Sequence, residues 1–395
     1  MISIILFLAG VFLITFLLGR VLEKFRIPWI FSALLIGLGL AAYNPFKEIT
    51  SSSDFLLLSN LGMYFLLFII GFELDIKRIF KSGKFIVKTT AAIILSEALV
   101  ASILLHYVFD LSWMISVLLS LSFATVGEAV LLPILDEFRL TKTKLGQTIL
   151  AIGVLDDVIE IATVVAVSVL LGYSAGHTTF NIWINLLILF SLFALVFIII
   201  KLRKYLNSFK YKDIPSFFFV VMFFLFLFVG LGEFVESAAL GALLAGIALK
   251  NIIPPRILEA IESEIKTLAY GFLAPIFFLW VGLDVNITYI LKYPLLILLF
   301  TLVTYGAKAI SSYTVARSEL GQKQSVILGI SLCVRLSTSI VIIKLLFVRG
   351  LINSEIYSIL IGTQLIFKFI IPFALSYLIT KWKISGSRSK KISTA

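Results

Sequence analysis

Long apolar runs fill most of the chain, and polar residues gather in the short breaks between them. A hydrocarbon core of about 30 Å is crossed by about 20 apolar residues in a helix. Thirteen runs approach that length: 2–19, 27–42, 55–72, 85–108, 112–135, 146–171, 182–200, 216–231, 233–249, 268–283, 293–315, 326–346 and 356–378. The pattern predicts an all-α polytopic membrane protein with 13 transmembrane helices. The eighth and ninth runs are short, and only Gly232, Glu233 and Glu236 mark the turn between them. The first run has no basic leader and no small-residue cleavage site, so it reads as a retained span.

Composition agrees with that reading. The 395 residues are 61% hydrophobic and 14% charged, against about 25% charge in a soluble domain. The net charge of +11 looks at first like a nucleic-acid footprint, but its distribution gives a simpler cause. When the loop after the first run is placed inside and the sides then alternate, 25 of the 33 basic residues fall inside and three (Lys47, Lys292, Arg349) outside. This is the positive-inside asymmetry. It predicts an external N-terminus and a cytoplasmic C-terminus, in a bacterial inner membrane, with no nucleic-acid partner. Five basic residues lie within runs: Lys88, Lys308, Arg335, Lys344 and Lys368. Each needs a partner or water. The lone Cys333 and the two separated histidines point to no disulfide, metal cluster or cofactor.

A weak internal echo suggests how the helices are organised. The third run ends in IIGFELDIKRIF (69–80) and the tenth in LWVGLDVNITYI (279–290). Both have a glycine followed by Leu-Asp and a β-branched residue. Seven runs separate them, so the copies cross the membrane in opposite senses. Two inverted six-helix repeats, runs 1–6 and 8–13, would follow, as in many secondary transporters. Paired breaks are then expected: SFATVGEAV (122–130) in run five and CVRLSTSIV (333–341) in run twelve each place hydroxyls and a charge in mid-span. Unwound backbone at that depth is tolerated only where it is buried in protein or lines a cavity. Glu128 and Arg335 would compensate helix-end dipoles there, or pair with each other.

The densest chemistry is GVLDDVIEI (153–161), in the middle of run six. Asp156 lies about 15 Å along that helix, near mid-membrane, where one charge costs at least ~2.5–3.5 kcal/mol. Asp156 and Asp157 diverge by about 100° around the helix, while Glu160 shares the face of Asp156. One acid is thus placed to meet a buried cation and the other to face a water-filled cavity. Carboxylates and freed carbonyls suit a hard cation such as Na⁺ competing with protons. Lys308, deep in run eleven, is the expected basic partner.

These residues resemble the monovalent cation:proton antiporters of the second cation:proton antiporter group, within the sodium/proton antiporter fold. GVLDDV resembles the family's paired-aspartate helix, ESAALGALLAGIAL (236–249) its small-residue span, and APIFFLWVGLDVN (274–286) its Phe-Phe…Gly-Leu motif. Lys308 falls where the family has a core lysine. The resemblance implies an elevator-like homodimer in which crossing discontinuous helices carry the site. It implies Asp157 as carrier of cation and proton, Asp156 paired with Lys308, and Thr125 lining the site. The paired-acid form implies electrogenic exchange of Na⁺ or Li⁺, or K⁺, for protons. The implied division is 1–84 scaffold, 85–172 core, 173–292 linker and scaffold, 293–381 core, and 382–395 a basic cytoplasmic tail. One departure stands out: VRLSTS keeps Arg335 but lacks the glutamate of the family's Arg-Gly-Glu. No nucleotide-binding unit is present, unlike the glutathione-gated potassium efflux branch. The main alternative is a sodium-coupled organic-anion symporter, which predicts no adjacent acid pair. A channel fits the echo and the breaks less well. No hydrolytic motif suggests an enzyme.

Overall fold

The computed structural model describes residues 3–24, 28–73, 83–123, 131, 135, 138–174, 182–206, 214–234, 237–253, 255–334, 337–382 and 384. Regular structure there is helical, as hydrocarbon demands: each backbone N–H must be paired within its own segment. The helices are α1 (Ile4–Lys24), α2 (Phe31–Ala42), α3 (Lys47–Thr50), α4 (Ser53–Glu73), α5 (Lys84–Phe109), α6 (Trp113–Phe123), α7 (Lys144–Ser174), α8 (Ile182–Leu206), α9 (Ile214–Glu233), α10 (Ala238–Ile252) and α11 (Pro255–Leu268). After a π-helical turn, Ala269–Leu273, follow α12 (Ala274–Leu283), α13 (Ile287–Lys292), α14 (Pro294–Leu320), α15 (Gln322–Ser331), α16 (Ser337–Val348) and α17 (Ser354–Lys381). Among the described residues, six helical runs are long and apolar enough to cross a membrane. Their outer faces are apolar too: Leu13, Phe16 and Leu17 on α1 and Phe219, Phe223 and Phe226 on α9 are exposed. The chain is an integral membrane protein.

Several boundaries differ from the sequence reading. The expected split between runs eight and nine lies between α9 and α10, where the Ser237 amide donates to the Gly232 carbonyl at 2.8 Å. A Cβ on Gly232 would sit 2.7 Å from the Ser237 carbonyl oxygen, so the tight turn requires glycine. The stretch 250–266, read as an inside loop, is instead the end of α10 followed by α11. Ile261 and Ile265 are buried on α11 while Glu259 and Glu264 face out. An amphipathic helix of this kind dilutes its apolar residues below the threshold for a span.

Two helix crossings are built in the same way. A Cβ on Gly37 of α2 would lie 2.3 Å from the Leu279 carbonyl oxygen of α12, and one on Gly282 of α12 would lie 2.4 Å from that of Leu34 on α2. At the second crossing, Gly71 of α4 meets the Leu243 carbonyl of α10, and Gly246 of α10 meets the Phe68 carbonyl of α4, each at 2.1 Å from the added Cβ. Such backbone-to-backbone approach is the membrane substitute for a hydrophobic driving force.

Helices α5, α6, α7, α14, α15, α16 and α17 pack among themselves, with α5 lying along α14. A second, smaller apolar cluster joins Ile93, Ile149, Tyr305, Leu328 and Ile371 from five of them, with Cys333 from the segment after α15. Run twelve is interrupted as expected: α15 ends at Ser331 and α16 begins at Ser337, with turn bonds from Cys333 to Ile330 and from Val334 to Ser331, each 3.1 Å. The counterpart in run five, 124–130, lies outside the described residues; α6 ends just before it, at Phe123.

Candidate functional site

Three continuous helices supply the described part of the site. On α7, Asp156 and Glu160 are one turn apart and are 1% and 5% exposed. The backbone of Asp157 is helical, and its side chain lies outside the described residues. On α14, a polar stripe of Thr301, Thr304, Lys308 and Ser312 is buried along one face. The Ser311 and Ser312 hydroxyls donate to the Lys308 carbonyl at 3.0 and 2.7 Å, so these hydroxyls serve their own helix. On α5, Glu97 faces α14. Its Oε2 lies 3.2 Å from Lys308 Nζ, and neither side chain exposes any surface.

The structure thus confirms that Lys308, Asp156 and Glu160 are buried, and it adds an acid absent from the candidate set. Glu97 is the sole acid of an otherwise apolar stretch, IILSEALVAS (93–102). Lone mid-helix acids carry the same burial penalty as paired ones, so the signal was there. Thr125, Glu128 and Arg335 lie outside the described residues.

Lys344, which the sequence left without a role, is the centre of a second buried cluster. It ion-pairs with Asp284 at the end of α12, and its Nζ lies 3.7 Å from the Trp280 ring centroid. Phe347 stacks on Tyr357 at 4.2 Å, and the Tyr357 hydroxyl donates to the Val281 carbonyl at 2.8 Å. The cluster ties α16 and α17 to α12. Lys344→Ala should therefore destabilise the protein by about 2–3 kcal/mol, from a cation–π contact and a half-open ion pair lost together. Lys344→Arg should recover most of this in a detergent melting curve.

A fully buried acid–ammonium pair, two further buried acids on α7 and an interrupted helix are features expected of a secondary transporter for a small cation. The family profile described as sodium/hydrogen exchanger, transmembrane, matches residues 9–381. The chain belongs to this family of monovalent cation:proton antiporters. It is 26% identical over 376 residues to a Na⁺/H⁺ antiporter of Enterococcus hirae, covering 92% of this chain and 94% of that one. A probable Na⁺/H⁺ antiporter 3 of Methanocaldococcus jannaschii is 25% identical over 373 residues, with the same coverages. The fold is similar to the solved structure of the sodium proton antiporter MjNhaP1 from Methanocaldococcus jannaschii, with a TM-score of 0.61, 19% identity and 96% of each chain covered.

Proposed function

We propose that this cation:proton antiporter exchanges Na⁺ or Li⁺ for protons, electrogenically and by alternating access. Asp157 carries cation and proton in turn, and Asp156 shares the ammonium of Lys308. Asp156 buried on α7, together with Lys308 fully buried on α14, is the observation that carries this reading. Those charges are costly unless the membrane interior is put to use there. Thr125, Glu128 and Arg335 are assigned to the same site from the sequence alone. Sodium-coupled organic-anion symport gains no support from the relatives.

The proposed architecture is 13 spans in two inverted repeats, the first six mirrored by the last six. The glycine crossings support it. Leu34, Gly37 and Leu38 on α2 play the parts of Leu243, Gly246 and Ile247 on α10, each 209 positions on. Phe68, Gly71 and Phe72 on α4 match Leu279, Gly282 and Leu283 on α12, each 211 positions on. An inverted repeat produces this exchange: the second span crosses the tenth, and the third crosses the ninth. In the same register Glu73, not Asp75, is the counterpart of Asp284. The small apolar cluster supports a core of 85–172 with 293–381, moving against a scaffold of 1–84 and 173–292 in a homodimer. The N-terminus is external and the basic tail cytoplasmic.

The test is a proteoliposome with an internal pH dye. Na⁺ and Li⁺ should each drive proton movement, and the rate should change when the membrane potential is clamped. Movement that ignores the potential would remove the electrogenic part of the reading. No response to Na⁺, Li⁺ or K⁺ from folded protein would remove the rest.

A further inference from the structure

The Glu97–Lys308 pair joins two unbroken helices. Each partner is fully buried, and the oxygen-to-nitrogen distance is 3.2 Å. A lysine alone at this depth would be expensive, and its field would also repel any cation held by the acids nearby. We propose that Glu97 is a positioning residue of the cation site: it supplies a permanent counter-charge to Lys308 from α5, so that the acids of α7 keep their negative field for the transported ion. This rests on the antiport reading given above.

Two observations support the assignment independently of that distance. First, the pair fits the repeat register. Gly71 and Gly282 are 211 positions apart, and so are Glu97 and Lys308 (97 to 308). Positions that are mates in a two-fold relation meet each other only at the axis, where a residue faces its own counterpart. Glu97 and Lys308 are such mates on α5 and α14. The acid is therefore built opposite the lysine by the symmetry of the fold, with opposite charge where an exact repeat would have placed like charge. Second, α5 and α14 run without interruption through the pair, unlike the helix broken between Ser331 and Ser337. The anchor of the ammonium thus lies on rigid backbone beside the interrupted one. The pair also makes the region electrically distinct from a lone lysine–aspartate bridge. Glu97 turns the Lys308 charge into a local dipole, and a dipole's field falls off faster than that of a single charge.

The test is a double-mutant cycle of Na⁺ affinity, read by Na⁺-dependent thermal stabilisation of purified protein at one alkaline pH. A unit charge left uncompensated several ångströms from a cation, at an effective dielectric of about 20, changes binding by roughly tenfold or more. Glu97→Gln should weaken Na⁺ by about that factor in the wild-type background. In a Lys308→Gln background the ammonium is gone and a buried carboxyl without a cation neutralises rather than staying charged, so Glu97→Gln should move the affinity less than about twofold, which is the signature of coupled neighbours. Glu97→Asp, with the charge kept, should stay near wild type. An unchanged affinity in Glu97→Gln, or an equal loss in both backgrounds, overturns the proposal. Should Glu97→Gln fail to fold, the neutral pair Glu97→Gln/Lys308→Gln decides: recovered folding supports the counter-charge role, because an orphaned buried charge destabilises more than a replaced pair. Equal loss of folding in both makes Glu97 a packing residue and overturns it. Asp157→Asn serves as the separate control. If that variant binds Na⁺ as the wild type does, the site reading itself has failed, whatever Glu97 does.

Discussion

Proteoliposomes carrying Asp157→Asn should show no cation-driven proton movement, a fall of roughly two orders of magnitude or more, because an amide neither releases a proton at neutral pH nor offers an ionised oxygen. The protein itself should remain folded. Replacing a mid-membrane carboxylate by a neutral isostere removes a penalty of at least ~2.5–3.5 kcal/mol, so the melting temperature should hold or rise. That combination separates a transport residue from a structural one. Lys308→Gln is expected to behave differently. It leaves Glu97 buried without the ammonium 3.2 Å away, so stability and the charge moved per cycle should change more than binding does. Normal transport by Asp157→Asn would show that the cation is carried elsewhere.

The other large effect concerns folding. Gly246→Leu should fail to accumulate as a monodisperse membrane protein. Its first carbon alone would sit 2.1 Å from the Phe68 carbonyl oxygen and 2.7 Å from the Phe72 nitrogen, and backbone cannot rotate aside as a side chain can. The loss should reach or pass the upper end of the ~1–3 kcal/mol usual for overpacking. Gly37→Leu, at the equivalent crossing, should be equally damaging. Gly10→Ala is the control: a Cβ there meets nothing within 4 Å, so helix propensity alone acts and stability should rise by up to about 1 kcal/mol. Size-exclusion profiles of solubilised membranes distinguish these outcomes. A well-folded Gly246→Leu would mean that α4 and α10 can separate.

What the sequence disclosed follows the physics of each signal. A run of 20 apolar residues has one explanation, so the long spans were legible, and so was the turn at Gly232. The interruption in CVRLSTSIV was legible because hydroxyls and a charge in mid-span contradict a continuous lipid-facing helix. Helix α11 was not, since Glu259, Glu262, Glu264 and Lys266 cancel its apolar residues in any average, although Ile257, Ile261, Ile265 and Leu268 keep helical spacing. The burial of Asp156 and Lys308 could be inferred from depth alone. Glu97 lies 211 positions before Lys308, the spacing of Gly71 and Gly282, and the proposed repeat would have pointed to it, but the Leu-Asp echo carries a spacing of 209. The pairing of Gly37 with Gly282 and of Gly71 with Gly246 was beyond reach, because 24 glycines in the chain offer too many combinations.

The π-helical turn at Ala269–Leu273 has a consequence for how α11 and α12 have to be read together. A turn of this kind holds one residue more than an α-helical turn, which shifts the angular phase of everything before it by about 100° relative to everything after it. Ile261 and Ile265 are buried on the near side of that shift, and Phe277 and Gly282 on the far side. A single uninterrupted pitch that kept Ile261 and Ile265 buried would turn Gly282 about 100° away from its crossing with α2. The extra residue works as a gear between two periodicities, letting a helix with one wet side continue into a helix that is buried all round.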